Sequence, residues 1–247
     1  MHRAWIISDL QVPYHDRKAV DAVAQAISDL KGPNDIVLTI GDEMDMQTIS
    51  RWSQGTALEW ERSIGKDRDA TVQVLRDLQV QHVIRSNHTD RLYNQIMRRL
   101  PGLLGLPEIE LQNFLRLPEL GITFHEDAFP FASGWVAMHG DEAGVSQIAG
   151  QTAQGLSKKV GLSVACGHTH RLGLQPYTQS VNGRATRVLY GFEVGNLMDM
   201  RKAKYAKTHN WQQGFGLVYI DGSRVTPCPV PIEKKSFIVE GEQYSWS

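Results

Sequence analysis

Six residues far apart in the chain offer related chemistry: Asp9, Asp42, Asn87, His139, His168 and His170 bring carboxylates, an amide and imidazoles. Each stands at or just past the end of a short apolar run, and Gln11 lies just beyond the first of them. Mixed carboxylate, amide and imidazole donors suit divalent Mn, Fe, Co or Zn rather than Ca or a closed structural zinc. In His168-Thr169-His170 the two rings can face one site while the threonine between them points away. Six or seven donors exceed what one first-row ion takes from protein, and a carboxylate shared between two ions absorbs the surplus. Two ions about 3.5–4 Å apart clamp the attacking and leaving oxygens of a displacement at phosphorus. Taken singly, Gly41-Asp42 and Asn87-His88 also read as ordinary turns. Their recurrence at successive strand ends is what points to a site.

The elements that must position these residues follow from the apolar pattern. Asp35–Ile40 is a β-branched run suited to a strand buried on both faces, and it delivers Asp42 where open α/β sheets hold ligands. Ala4–Ser8 is a shorter strand that delivers Asp9 and Gln11. Between them, Lys18–Leu30 carries a helical stripe (Val20, Val23, Ala24, Ile27, Leu30) and stops at Lys31-Gly32-Pro33. A right-handed crossover makes the two strands parallel, so Asp9 and Asp42 share one edge. An amphipathic helix is predicted from about Ala57 to Leu78, with Trp60, Ile64, Val72, Leu75 and Leu78 on its stripe. The strand Gln81–Arg85 then leads to Asn87-His88.

Pro101, Pro107 and Pro118 divide the segment from Arg91 to Pro130 into short pieces, read as a helical insertion at about 91–130 over or beside the site. Strands are predicted at Ile122–His125 and Trp135–His139, a helix from about Gly144 to Lys159, and a strand at Leu162–Cys166. Strand-like runs follow at Arg171–Tyr177, Ala185–Tyr190, Gly216–Ile220 and Val225–Val230, and the tail after Pro231 reads as loosely attached. The expected fold class is α/β, two packed mixed β-sheets flanked by helices, in a single domain spanning 1–247.

Composition narrows the function classes. A net charge of −1 carries no basic excess that would advertise nucleic acid, and the best candidates for a basic track are Arg98, Arg99, Arg201, Lys202, Lys204 and Lys207. Two cysteines, Cys166 and Cys228, are too few for a disulfide framework and fit a reducing compartment. There is no basic, apolar leader and no apolar run long enough to cross a bilayer, so a soluble cytoplasmic protein without a membrane partner is expected.

In order and spacing, Asp9-x-Gln11, Gly41-Asp42-x-x-Asp45, Asn87-His88, His139-Gly140 and Gly167-His168-x-His170 resemble the five motifs of the calcineurin-like metallophosphoesterases. The stretch His209–Phe215 further resembles a feature of phage and bacterial members. The resemblance implies a β-sandwich flanked by helices, with Asp9, Asp42 and His170 around one ion. Asp42 would bridge to a second ion, completed by Asn87, His139 and His168. His88 would be the non-ligand histidine beside the scissile phosphate, and Asp45 its orienting carboxylate.

The implied reaction is hydrolysis of a phosphate ester by a metal-bridging hydroxide, with two divalent ions, Mn favoured and Fe, Zn, Co or Ni as alternatives. Gln11 departs from the family's usual histidine. Its amide oxygen is a harder, weaker ligand, so the first site would bind loosely or favour Mn over Zn. Alternatively Gln11 stands behind the ligands, the site is partly degraded, or His15 substitutes. No compact Arg/Lys clamp for a dianionic monoester is evident, which favours a phosphodiester of nucleotide type. A DNA or RNA nuclease, a phosphomonoesterase and a non-catalytic metal-binding assembly protein are the alternatives.

Overall fold

The computed structural model describes residues 1–203 and 208–247. The first strands are β1 (His2–Ile7), β2 (Ile36–Thr39), β3 (His82–Ile84), β4 (Thr123–His125), β5 (Phe129–Ala132), β6 (Trp135–Met138) and β7 (Ser163–Cys166). Then follow β8 (Leu172–Val181), β9 (Arg184–Val194), β10 (Gly214–Asp221), β11 (Arg224–Pro231), β12 (Ser236–Val239) and β13 (Glu242–Ser245). The helices are α1 (Arg17–Leu30), α2 (Ile64–Asp77), α3 (Asp90–Arg99), α4 (Leu111–Phe114) and α5 (Gln151–Val160).

Strand β1 shows why the apolar runs are unbroken. Ala4 and Ile6 face the second sheet while Trp5 and Ile7 face the helices, so both faces of the pleat are buried. The first sheet has the order β11-β10-β1-β2-β3-β4, and β1 to β4 are mutually parallel. The second has the order β5-β6-β7-β9-β8, with β6, β7 and β9 parallel. Ile6, Leu38, Ile84, Trp135, Phe192 and Val218 pack between the sheets. Val23 and Ile27 of α1 and Leu75 of α2 cover the outside of the first sheet, and Ala153 and Leu156 of α5 cover the second. The result is the expected α/β fold, two mixed sheets between helical layers. No helix among the described residues is long and apolar enough to cross a membrane.

The structure corrects several local expectations. The helix expected from Ala57 begins only at Ile64, where the Ser63 hydroxyl accepts from Lys66 N, and 57–59 form a separate 3-10 turn. Trp60 therefore sits off the helix and is 81% exposed. The helix expected from Gly144 begins at Gln151, because Gly150 turns the chain at φ +81°. Pro101, Pro107 and Pro118 each open a 3-10 turn, and the strand at 123–125 already belongs to the first sheet. The tail is not loose: β12 and β13 form a hairpin whose Phe237 packs 5.3 Å from Phe215, ring centre to ring centre.

Candidate metal centre

Parallel strands point their carboxyl ends one way, and five of these ends meet along one seam between the sheets. Strand β1 leads to Asp9 and Gln11, β2 to Asp42, β3 to Asn87 and His88, β6 to His139, and β7 to His168 and His170. The backbone turns sharply at these ends. Asp9 (φ +52°), Gln11 (+48°), Asp42 (+57°), His168 (+65°) and His170 (+58°) are all left-handed. Such conformations cost about 1–2 kcal/mol each for residues other than glycine and persist where the surroundings over-determine them. Here Gln11 N donates to Asp42 O at 2.7 Å, Asp42 N to Ser86 Oγ at 3.0 Å, and Gly167 N to His139 O at 2.9 Å. Glycine is required at position 41, where a Cβ would lie 2.4 Å from His139 Nδ1.

The donors fall into two clusters, Asp9 with Asp42 and His170, and Asp42 with His139 and His168. Asp42 is common to both. In the first cluster, Asp9 Oδ2 accepts from Ser8 Oγ at 2.7 Å and from His168 N at 3.0 Å. Its Oδ1 is left 3.1 Å from His170 Nε2 but without hydrogen-bond geometry. The Gln11 amide nitrogen is 3.1 Å from the same ring nitrogen. In the second cluster, His139 Nδ1 lies 2.8 Å from Ile40 O, which makes Nδ1 the donor and turns the Nε2 lone pair inward. That lone pair meets Asn87 Oδ1 at 2.9 Å and Asp42 Oδ1 at 3.4 Å.

This donor set fits a cation. Three acceptor atoms converge at His139, and Asp9 Oδ1 and His170 Nδ1 are buried without a hydrogen-bond partner. An unsatisfied buried polar group costs roughly 1–3 kcal/mol, which a positive ion would offset. Electrostatics agree in sign. Burial opposes a charged Asp42, yet His88 and His139 hold it well below the usual carboxylate range. Burial opposes a charged His139, but Asp42 and Asp9 outweigh it and raise its pKa. His168 is lowered, by burial and by His139.

His88 and Asp45 stand outside both clusters. His88 Nδ1 is 3.2 Å from Asp45 Oδ1, and its Nε2 is 3.7 Å from Asp42 Oδ2. The Arg91 guanidinium, from the first turn of α3, lies 2.7 Å from Nε2. Nothing in the motif spacing singles out Arg91. Glu193 is another residue outside the motifs: fully buried on β9, it accepts from Thr169 Oγ1 and from Thr152 N, both at 2.9 Å. It thereby pulls Thr169 away from the site and holds the two flanking histidines toward it. The sequence did carry a signal, a lone carboxylate inside the apolar run Gly191–Val194.

His15 lies outside both clusters, bridged through its backbone to Met198, with its pKa lowered to about 4 by burial and by Arg17. Trp211 meets the His170 ring edge-on, 4.7 Å between centres, which places the His209–Phe215 stretch beside the first cluster. Of the basic residues, Arg99 faces Glu59 at 3.9 Å, while Arg201 and Lys202 pair with Asp199. Lys204 and Lys207 lie outside the described residues.

The chain is 37% identical over 250 residues to the Gene 54 protein of Mycobacterium phage D29, covering 97% of each. It is 36% identical, with the same coverage, to the Gene 54 protein of Mycobacterium phage L5. The chain belongs to the family of these phage Gene 54 proteins. The sequence matches no protein-family model. Among solved structures, Vps29 of Chaetomium thermophilum covers 99% of both chains at 13% identity with a TM-score of 0.50. That likeness is one of fold: this Gene 54 relative shares the architecture of Vps29.

Proposed function

We propose that the chain is a dinuclear metal-dependent phosphoesterase, with phosphodiesters of nucleotide type as its preferred substrates. The observation that carries this reading is the position of Asp42, common to two donor clusters at the seam of a metallophosphoesterase-type fold. Asp9, Gln11 and His170 would hold one ion, Asn87, His139 and His168 the other, and Asp42 both. Mn is the favoured metal because an amide oxygen at Gln11 is a hard donor. Bound there, two divalent ions would neutralise charge developing on the phosphoryl oxygens and acidify the attacking water.

The remaining chemistry falls to the neighbouring side chains. Asp45 Oδ1 stands 3.2 Å from His88 Nδ1 without hydrogen-bond geometry, and Arg91 occupies Nε2. A guanidinium binds a phosphate more strongly than it binds a neutral imidazole, because both partners are then charged. An arriving phosphate therefore draws Arg91 off the ring. Nε2, which accepts from Arg91 and so carries no proton in that state, is then free to take a proton from solvent water and pass it to the leaving oxygen.

The test is a panel of a chromogenic diester, a monoester, cyclic nucleotides and single-stranded DNA, each with Mn or Zn. We expect Mn-supported turnover with diesters fastest, and loss of both ions in Asp42→Asn. Two tightly held ions in that variant, measured by metal analysis, would overturn the bridging role.

A further inference from the structure

A cleft of about 250 Å³ opens beside Asn87. Its lining includes Arg51, Trp52, Arg91, Gln95 and Arg98, and no carboxylate. Helix α3 supplies much of this wall: Arg91, Gln95 and Arg98 recur at the three- and four-residue spacing that puts side chains on one helix face. The cleft contrasts with the rest of the surface. Most arginines outside it lie against a carboxylate, such as Arg62 against Asp67 and Arg99 against Glu59. Arg98 has no ion pair or hydrogen bond among the described residues, and Arg51 lies over the Trp52 ring, 4.7 Å from its centre. Arg91 at the inner end faces Asp45 Oδ1 at 3.8 Å, whereas Arg51 and Arg98 face no carboxylate among the described residues, so the outer part of the cleft keeps positive charge that an anion would offset. With a net charge of only −1, the chain concentrates this positive charge locally.

Resting on the phosphodiesterase reading above, we propose that this cleft binds the backbone phosphate flanking the scissile one in a single-stranded nucleic acid. Arg91 stands at the metal-proximal end, against His88, and Arg98 is two helical turns away. Seven residues of helix span about 10 Å. Neighbouring phosphates of a nucleoside polyphosphate share an oxygen and are too close together to engage both ends of that wall. Phosphates separated by a sugar match it better. Trp52 is 74% exposed, and an exposed aromatic ring at the edge of a basic groove is a stacking platform for any base.

The experiment measures binding of a phosphorothioate oligonucleotide to the full chain by fluorescence anisotropy across a salt series, alongside the oligonucleotide-to-chromogenic-diester ratio of kcat/KM. Arg98→Ala should weaken oligonucleotide binding roughly 10- to 100-fold, lower the salt slope by about 0.7 and depress the kinetic ratio. Arg98→Lys should recover part of the affinity. Arg99→Ala, one residue along and facing Glu59, should bind as the parent does. Unchanged binding in Arg98→Ala, or an equal loss in Arg99→Ala, would overturn the cleft assignment while leaving chromogenic turnover, and the phosphoesterase reading, intact. An equal loss of affinity for a nucleoside triphosphate would overturn the strand assignment. If no ester turns over with any metal, the phosphoesterase reading falls, and the binding series still decides the cleft.

Discussion

Gly167→Ala tests whether the seam between the sheets sets the position of Asp9. A Cβ added at Gly167 would lie 1.8 Å from Ser8 Oγ, 2.7 Å from Ser8 Cβ and 2.7 Å from Asp9 Oδ2. Rotating the serine cannot relieve the contact with its own Cβ, so β1 and the turn after β7 must part. Overpacking of this kind costs about 1–3 kcal/mol. Moving Ser8 also breaks its 2.7 Å bond to the Asp9 carboxylate, and a hydrogen bond to a charged group contributes about 1.5–3 kcal/mol. The expected loss is therefore roughly 3–5 kcal/mol, or about 6–20 °C in melting temperature for a chain of this size. Asp9 belongs to only one of the two donor clusters, so the ion held by Asp9 and His170 should weaken more than the ion at His139. Thermal melts and titration calorimetry with Mn would read the two effects. Ser8→Gly in the same chain removes the two serine atoms, leaving only the Asp9 Oδ2 contact, and should recover part of the melting temperature. A Gly167→Ala protein that melts with the parent and binds both ions equally would refute the argument, as would a double variant no more stable than Gly167→Ala alone.

Two other substitutions separate chemistry from architecture. His88→Ala should stay folded, keep both ions and lose about 10²–10⁴-fold in turnover on nucleoside leaving groups, with a smaller loss on nitrophenolate; equal slowing of all leaving groups, or a missing ion, would remove the acid role. In chelator-treated protein, burial pushes the Glu43 carboxyl from 4.5 up to about 7, so the folded state holds its proton more tightly than the unfolded chain. The stability this contributes is fully present below about pH 4.5 and is lost as pH rises to about 7, on the order of 3 kcal/mol in all. Glu43→Gln cannot titrate, so urea unfolding of parent and variant should diverge across that window; a difference independent of pH would refute the shift.

Much of the fold and most of the candidate site were legible in the sequence, for a definite reason. A strand buried on both faces must be apolar throughout, so a polar residue at its end stands out, and Asp9, Asp42, Asn87, His139 and His168 all announce themselves this way. Arg91 does not, because its contact with His88 depends on α3 starting at Asp90 and turning the guanidinium back onto that ring. The left-handed backbone at Asp9, Gln11, Asp42, His168 and His170 was equally hidden, since it is imposed by bonds between distant segments rather than by local propensity. Helix starts were misplaced where a second cap competes: Thr56 and Ser63 both offer hydroxyls, and only Ser63 opens a continuous helix. The attachment of the tail turned on Phe237 meeting Phe215, a contact that no local pattern encodes.

The bond from His168 N to Asp9 Oδ2 spans 159 positions of the chain. Contacts of such long range form late, after the entropy of closing the intervening loop has been overcome. A nascent chain that has emerged only as far as His139 already contains Asp9, Asp42 and Asn87, yet it lacks the turn that fixes the Asp9 carboxylate. Neither donor cluster exists until His168 and His170 leave the ribosome and β7 docks beside β6. Metal capture would then coincide with closure of the sandwich, so that the ions reward only chains that have brought both halves together.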